Sequence, residues 1–200
     1  MLLVKDDPKA VEADLVAGRV RCPDCGGRLA RWGFASEREL RTLGGVRRLR
    51  PRRAICSSSC GVTHVLEPAS TLPRLRDTAE VVGSAWQAKV AGAGHRTIAR
   101  LLDRPVSTVR RWLRRLSARA EQLRVAATCR LHELDPAAGP IGPTGSPLAD
   151  ALEALGQAAA ATSRRLGPRP AWEVAVALTG GLIASTARRA GVKGGPGAVP

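Results

Sequence analysis

Four cysteines and one histidine in the first third of the chain have the types and spacing to hold a metal ion. Arg21 to Gly27 reads RCPDCGG: Cys22 and Cys25 are close enough to share one cation, Pro23 stiffens the loop and Gly26 supplies a positive φ. Some thirty residues on comes Cys56-Ser-Ser-Ser-Cys60, with His64 after three more. Cys22, Cys25, Cys56 and Cys60 would make the tetrahedral set of a Zn2+ site. The second pair has three intervening residues where two are usual, which leaves His64 as an alternative fourth ligand in place of Cys60. The competing reading, four free or oxidised thiols in a core, fits poorly, because Cys22 and Cys25 sit beside turn residues and outside any apolar stripe. With four protein ligands no position stays open for water, so the metal is expected to be structural and zinc-assisted hydrolysis is not expected. Cys129 has no partner in any spacing pattern and is expected to be a small buried apolar residue.

The second constellation runs from His95 to Arg115, HRTIARLLDRPVSTVRRWLRR. Ile98, Ala99 and Leu102 share one helical face, and Val109, Trp112, Leu113 and Leu116 share another. Pro105 fits best at a first helical position, so a second helix is expected to begin there. On that helix Ser107, Arg111 and Arg114 point away from the apolar face, flanked by Arg110 and Arg115. A solvated basic hairpin in a helical bundle is the plainer alternative. The stretch resembles the helix-turn-helix segments of bacterial repressors and transposases, whose common form is IA-x-x-L-G-V-S-x-S-T-V-x-x-W. Ile98, Ala99, Leu102, Ser107, Thr108, Val109 and Trp112 match; Asp103, Arg104 and Pro105 depart, standing where the pattern has Gly, an apolar residue and Ser. Joined to the cysteine knuckles, the resemblance covers roughly residues 20 to 116. It extends to the zinc-ribbon plus helix-turn-helix part of insertion-element transposases and to a group of short helix-turn-helix proteins of GC-rich bacteria. It implies sequence-directed binding of double-stranded DNA. Ser107, Arg110 and Arg111 would meet base edges, and Arg96, Thr108, Arg114 and Arg115 would hold phosphates.

Charge agrees with such a partner. The formal net charge is +15, and Lys plus Arg against Asp plus Glu counts 13 to 7 over residues 1–60, 13 to 5 over 61–130 and 6 to 5 over 131–200. A polyanion is therefore expected at the first two thirds, nucleic acid before a membrane surface. The Ala, Arg, Gly and Pro abundance also fits a GC-rich genome, so part of the arginine reflects mutational bias. The amino terminus lacks a continuous apolar run and carries early acids, so no secretory signal is expected. Nothing reaches the ~18 apolar residues of a membrane span; Ala171 to Ala187 comes nearest, but Glu173 and Gly180-Gly181 interrupt it. A cytoplasmic, nucleoid-associated protein follows, in a compartment where spaced cysteines more often bind metal than pair.

These constellations need supports, and the expected architecture is α+β, mostly α. Residues 1–18 form a lead-in with a turn or two of helix. Residues 19–68 form a small antiparallel zinc-ribbon sheet with strands LARWGF, VRRLRPRRAI and VTHVLEP, separated by Gly44-Gly45 and too small to fold without its metal. The arginines at 47, 48, 50, 52 and 53 lie on the second strand, tracking phosphates or discouraging strand pairing. Trp32 and Phe34 either stack on bases or form a miniature core. Residues 69–134 form the trihelical DNA-reading domain: a helix from Thr78 to Ala91, then the two described above, the last running on to about Leu134. His95 faces a phosphate or only solvent.

Residues 135–147, DPAAGPIGPTGSP, read as a flexible linker. Residues 148–190 read as a helical hairpin, with Leu148, Leu152, Leu155, Ala159, Thr162 and Leu166 as a narrow stripe and a second helix from Ala171 to Ala190. Its apolar faces pack on the reading domain or on a second copy, giving a homodimer. Residues 191–200 are expected to be a disordered tail. The function expected is that of a transcriptional regulator or mobile-element accessory factor, without catalytic residues. Glu133, Asp135, Asp150, Glu153 and Glu173, the acids after residue 130, have no strand pattern to gather them at two metal ions. A truncated transposase or recombinase that kept only its DNA-recognition region, or an RNA or protein adaptor, are the alternatives.

Overall fold

The computed structural model describes residues 1–180 and 183. It is an α+β structure with six strands and seven helices among the described residues, built around two hydrophobic clusters. The second helix of the expected hairpin beyond Gly180, apart from Ile183, and the tail 191–200 lie outside the described residues.

The lead-in is part of the sheet. β1 (Leu2–Val4) lies parallel to β6 (Thr63–Pro68), with Leu2 opposite Leu66. α1 (Pro8–Val16) starts where Asp7 accepts a hydrogen bond from the Lys9 amide at 2.9 Å and Pro8 takes the first turn. It buries Val11 and Leu15 against Cys22, Leu29, Ala54, Cys56 and Leu66. The sheet runs β1-β6-β5-β2, where β2 is Leu29–Phe34 and β5 is Arg52–Cys56. It is mixed, not purely antiparallel, because β1 enters beside β6 without a hairpin.

The run VRRLRPRRAI is not one strand. Pro51 has no amide hydrogen for a ladder and restricts Arg50 before it, so the run breaks there. β4 (Gly45–Leu49) pairs only with β3 (Arg38–Thr42) as a separate two-stranded ribbon, and β5 joins the main sheet. The arginines at 47 and 48 thus part company with those at 52 and 53. β3 has one buried residue, Leu40, which is too little alternation to read from sequence.

The helical body follows. α2 (Ala79–Val90), α3 (His95–Leu101) and α4 (Val106–Ser117) pack on one another, with Trp86, Ile98, Val109 and Trp112 fully buried between them. Pro105 caps α4 instead of opening it, so that helix starts one residue later than expected. It does not run on to Leu134: α4 ends at Ser117 and α5 (Ala120–Leu134) begins after Ala118 and Arg119. Cys129 on α5 is exposed, because the buried face there belongs to Leu123, Ala127 and Leu131.

α6 (Pro147–Leu166) lies along α5 in the same direction. Asp150 near its start faces Arg124 near the start of α5, and at the far ends Arg165 Nε donates to the Leu134 carbonyl at 2.9 Å while Arg164 meets Asp135 at 3.2 Å. The Pro/Gly stretch between them therefore travels back the length of the pair. Ala138 and Ile141 pack on the core, and the Thr144 amide and hydroxyl both donate to Asp150. On α6 the buried face is alanine-rich, Ala151, Ala154, Ala158 and Ala161 with Leu155, Ala159 and Thr162, while Leu166 of the expected stripe is exposed. Small side chains over most of this face let the neighbouring helix pack closely. α7 (Ala171–Leu178) returns against α2 and α6, so the carboxyl-terminal helices share one core with α2–α5.

Candidate metal centre and cationic helix face

Two turns bring the four cysteines together. In the first, the Gly26 amide donates to the Cys22 carbonyl and the Cys22 amide to the Gly27 carbonyl, both at 2.8 Å; Gly26 takes φ +70, as the sequence predicts. In the second, Cys56 ends β5 and Cys60 follows a turn. The Sγ–Sγ separations are 3.6 Å for Cys22–Cys60 and 3.4 Å for both Cys25–Cys56 and Cys25–Cys60. None is a disulfide. A tetrahedral Zn2+ with Zn–S near 2.3 Å would hold its sulfurs about 3.8 Å apart, so this set closes on a cation with little movement. His64 Nε2 stands 3.4 Å from Cys22 Sγ and 3.7 Å from Asp24 Oδ2, and groups with those two residues rather than with the other three cysteines.

The second turn aims backbone amides at sulfur. The amides of Ser59, Ser58 and Cys60 surround Cys56 and pull its pKa down to about 5. The Ser59 hydroxyl and the Gly27 amide lower that of Cys25. At Cys60 the Val62 amide favours the thiolate, but Cys25, burial, Cys22 and Cys56 overcome it and push the thiol up to about 12. Four thiolates cannot crowd this closely without a positive charge among them, and the donor set suits a soft or borderline cation. Gly27 shows how tight the cradle is. A Cβ there would fall 3.0 Å from Cys56 Sγ and 2.9 Å from Ser58 Cβ. The amide shell and Gly27 have no spacing signature of their own, and sequence reasoning missed them.

The cationic residues lie where their spacing put them, on the solvent side of α3 and α4. Arg96, Ser107, Arg110, Arg111 and Arg114 are exposed, and Thr108 and Arg115 are half-buried. Among the described residues, Arg96, Arg110, Arg111 and Arg114 have no acidic partner. Burial, then Arg111, Arg114 and Arg119, lower the pKa of Arg115, which marks the ridge as crowded with like charge.

The departures from the helix-turn-helix pattern have structural explanations. Asp103 takes φ +50, the left-handed conformation that glycine supplies in the pattern and that Asp tolerates better than most residues. Arg104 is no exposed substitute for an apolar residue. Its Nε donates to Asp77 Oδ1 at 2.6 Å, and Arg41 Nη2 of β3 donates to Oδ2 of the same carboxylate, also at 2.6 Å. Asp77 is 2% exposed. This pair of ion pairs on one buried carboxylate ties the α3–α4 turn to the β3–β4 ribbon, and no sequence spacing announces it.

Comparison of the chain with protein-family models, with curated proteins and with solved structures returned no match. No helix among the described residues is long and apolar enough to cross a membrane.

Proposed function

We propose that the protein is a zinc-containing DNA-binding protein in which Cys22, Cys25, Cys56 and Cys60 hold a structural Zn2+ as a zinc ribbon and α3–α4 act as a helix-turn-helix. The observation that carries this is the two-sidedness of α4: Val109, Trp112, Leu113 and Leu116 are buried, and Arg110, Arg111 and Arg114 stand exposed without acidic partners among the described residues. A braced helix with one wholly cationic face fits a major groove. Ser107, Arg110 and Arg111 reach base edges, and Arg96, Thr108, Arg114 and Arg115 take phosphates. His64 supports Cys22 from outside the ligand set. The role is that of a regulator or mobile-element accessory factor at the nucleoid, with no catalytic part assigned to any residue.

Selection of bound duplexes from a random pool, with and without a chelator, tests this reading: it expects an enriched motif from the metal-loaded protein. Arg111→Ala should then cost about 1–3 kcal/mol on the selected site and relax its specificity. Arg114→Ala should weaken selected and random duplexes alike and flatten the salt dependence. Equal loss on both duplexes for Arg111→Ala removes its base-reading role.

A further inference from the structure

Trp32 is left over from the packing of the small sheet. The register of β2 on β5 passes from Arg31 opposite Ala54 to Gly33 opposite Arg53, which makes Trp32 the extra residue of a bulge. A bulge interrupts the ladder and re-aims a side chain, and here it leaves an indole 55% exposed on the outermost strand of the sheet. Trp86 and Trp112 are fully buried and Trp172 is half-buried. Two residues on, Phe34 is 49% exposed, with the guanidinium carbons of Arg52 and Arg50 at 4.5 and 5.1 Å from its ring centroid. Neither ring belongs to the sheet's core, where α1 packs, although Phe34 lines a groove beside that helix. The expectation of a miniature aromatic core is therefore wrong, because aliphatic residues of α1 already fill that space.

The charges beside these rings are only partly compensated. Arg31 and Arg52 share Glu12, at 3.5 and 2.8 Å. Arg50 and Arg53 have no acidic partner among the described residues, and Arg53 Nε is buried without a hydrogen bond. Beyond Phe34 a groove of about 340 Å3 carries Lys5, Arg48 and Arg50 along with Arg47 and Arg52, whose partners Asp6 and Glu12 also line it.

We propose that the β2 edge is a binding site for a single nucleic-acid strand, with Trp32 and Phe34 stacking on unpaired bases and the exposed Arg50 and Arg48 beside Phe34 taking phosphates. A duplex offers a side chain only base edges and phosphates, whereas an unpaired strand offers base faces to an exposed ring. The net charge of +15 and the exposed, unpartnered Arg50 favour a polyanion over a protein at this edge. The site is separate from α4 and stands or falls apart from the reading of that helix.

The test uses the full-length, zinc-loaded protein and fluorescence anisotropy of a labelled short oligothymidylate and of a labelled duplex. Trp32→Ala should weaken oligothymidylate binding about tenfold, and Trp32→Phe should stay within about threefold of the parent, since one base–aromatic stack is at stake. Arg50→Ala should weaken it too and flatten its salt dependence. Duplex affinity should be unchanged in Trp32→Ala, and Arg111→Ala should show the reverse pattern, so the two sites fail independently. Oligothymidylate binding indifferent to Trp32→Ala overturns the proposal. So does a Trp32→Ala variant that loses self-association while keeping its strand affinity, which would assign the edge to a second copy of the chain.

Discussion

At Cys56 three backbone amides converge on one sulfur, and their effect has a sign that can be followed. A thiol whose folded pKa falls from 9.0 to about 5 adds stability that is complete above pH 9 and fades as the pH drops through 5. Cys60, raised to about 12, works the other way: its contribution is whole below pH 9 and fades as the pH rises towards 12. At pH 7 Cys56 is thus ionised before any metal arrives and Cys60 is not. Zinc binding at pH 7 should then release fewer than four protons per ion. Calorimetry in buffers of different ionisation enthalpy checks this, and release of four would show that the amides do not hold Cys56 as thiolate. Asp103 offers a second measurement at the same scale. At φ +50 a β-branched side chain is strained, so Asp103→Val should lose about 1–2 kcal/mol of stability while Asp103→Gly matches or exceeds the parent in thermal unfolding.

Between elements, α7 approaches α2 tightly at Gly83. A Cβ on Gly83 would lie 2.1 to 2.4 Å from the ring of Trp172, which packs at 6.0 Å from Trp86, centroid to centroid. Helix propensity alone favours alanine at position 83 by about 1 kcal/mol. The collision should outweigh it: Gly83→Ala is expected to lower stability by about 1–2 kcal/mol net and to move Trp172 towards water, shifting its fluorescence to the red. A gain in stability would mean that α7 yields easily. The Arg41–Asp77–Arg104 contact plays a similar part between the β3–β4 ribbon and the α3–α4 turn, and fixes where the cationic helix face stands relative to the sheet.

For the molecule as a whole, two clusters of unequal size share the chain. The smaller has seven buried residues, two of which, Cys22 and Cys56, are ligand candidates; the larger runs from Leu72 to Ile183. A core that small would depend on a cation bound by the four cysteines, and the larger would not. Chelation should therefore melt the sheet and leave the helices folded, so that the chelated protein keeps most of its helical circular dichroism and unfolds in one later thermal transition. Loss of the helical signal on chelation would show the two clusters to be a single cooperative unit.

What could be read from the chain is what neighbouring residues decide among themselves. The Cys22–Cys25 knuckle with its glycine, the bounds of α2, and the buried and exposed faces of α4 all follow from spacings within a few residues, where backbone geometry leaves few alternatives. Distant contacts settled the rest. β1 is a strand because β6 offers it an edge. VRRLRPRRAI splits because its halves find different partners across Pro51. The chain breaks between α4 and α5 although Leu116, Ala120, Leu123 and Ala127 keep helical spacing throughout, because α5 aligns with α6 while α4 stays with α2 and α3. The bonding of Arg104 to Asp77 and the outward placing of Trp32 belong with these. Each depends on which surfaces meet after collapse, and that free energy is shared between segments far apart in sequence, so no local pattern records it.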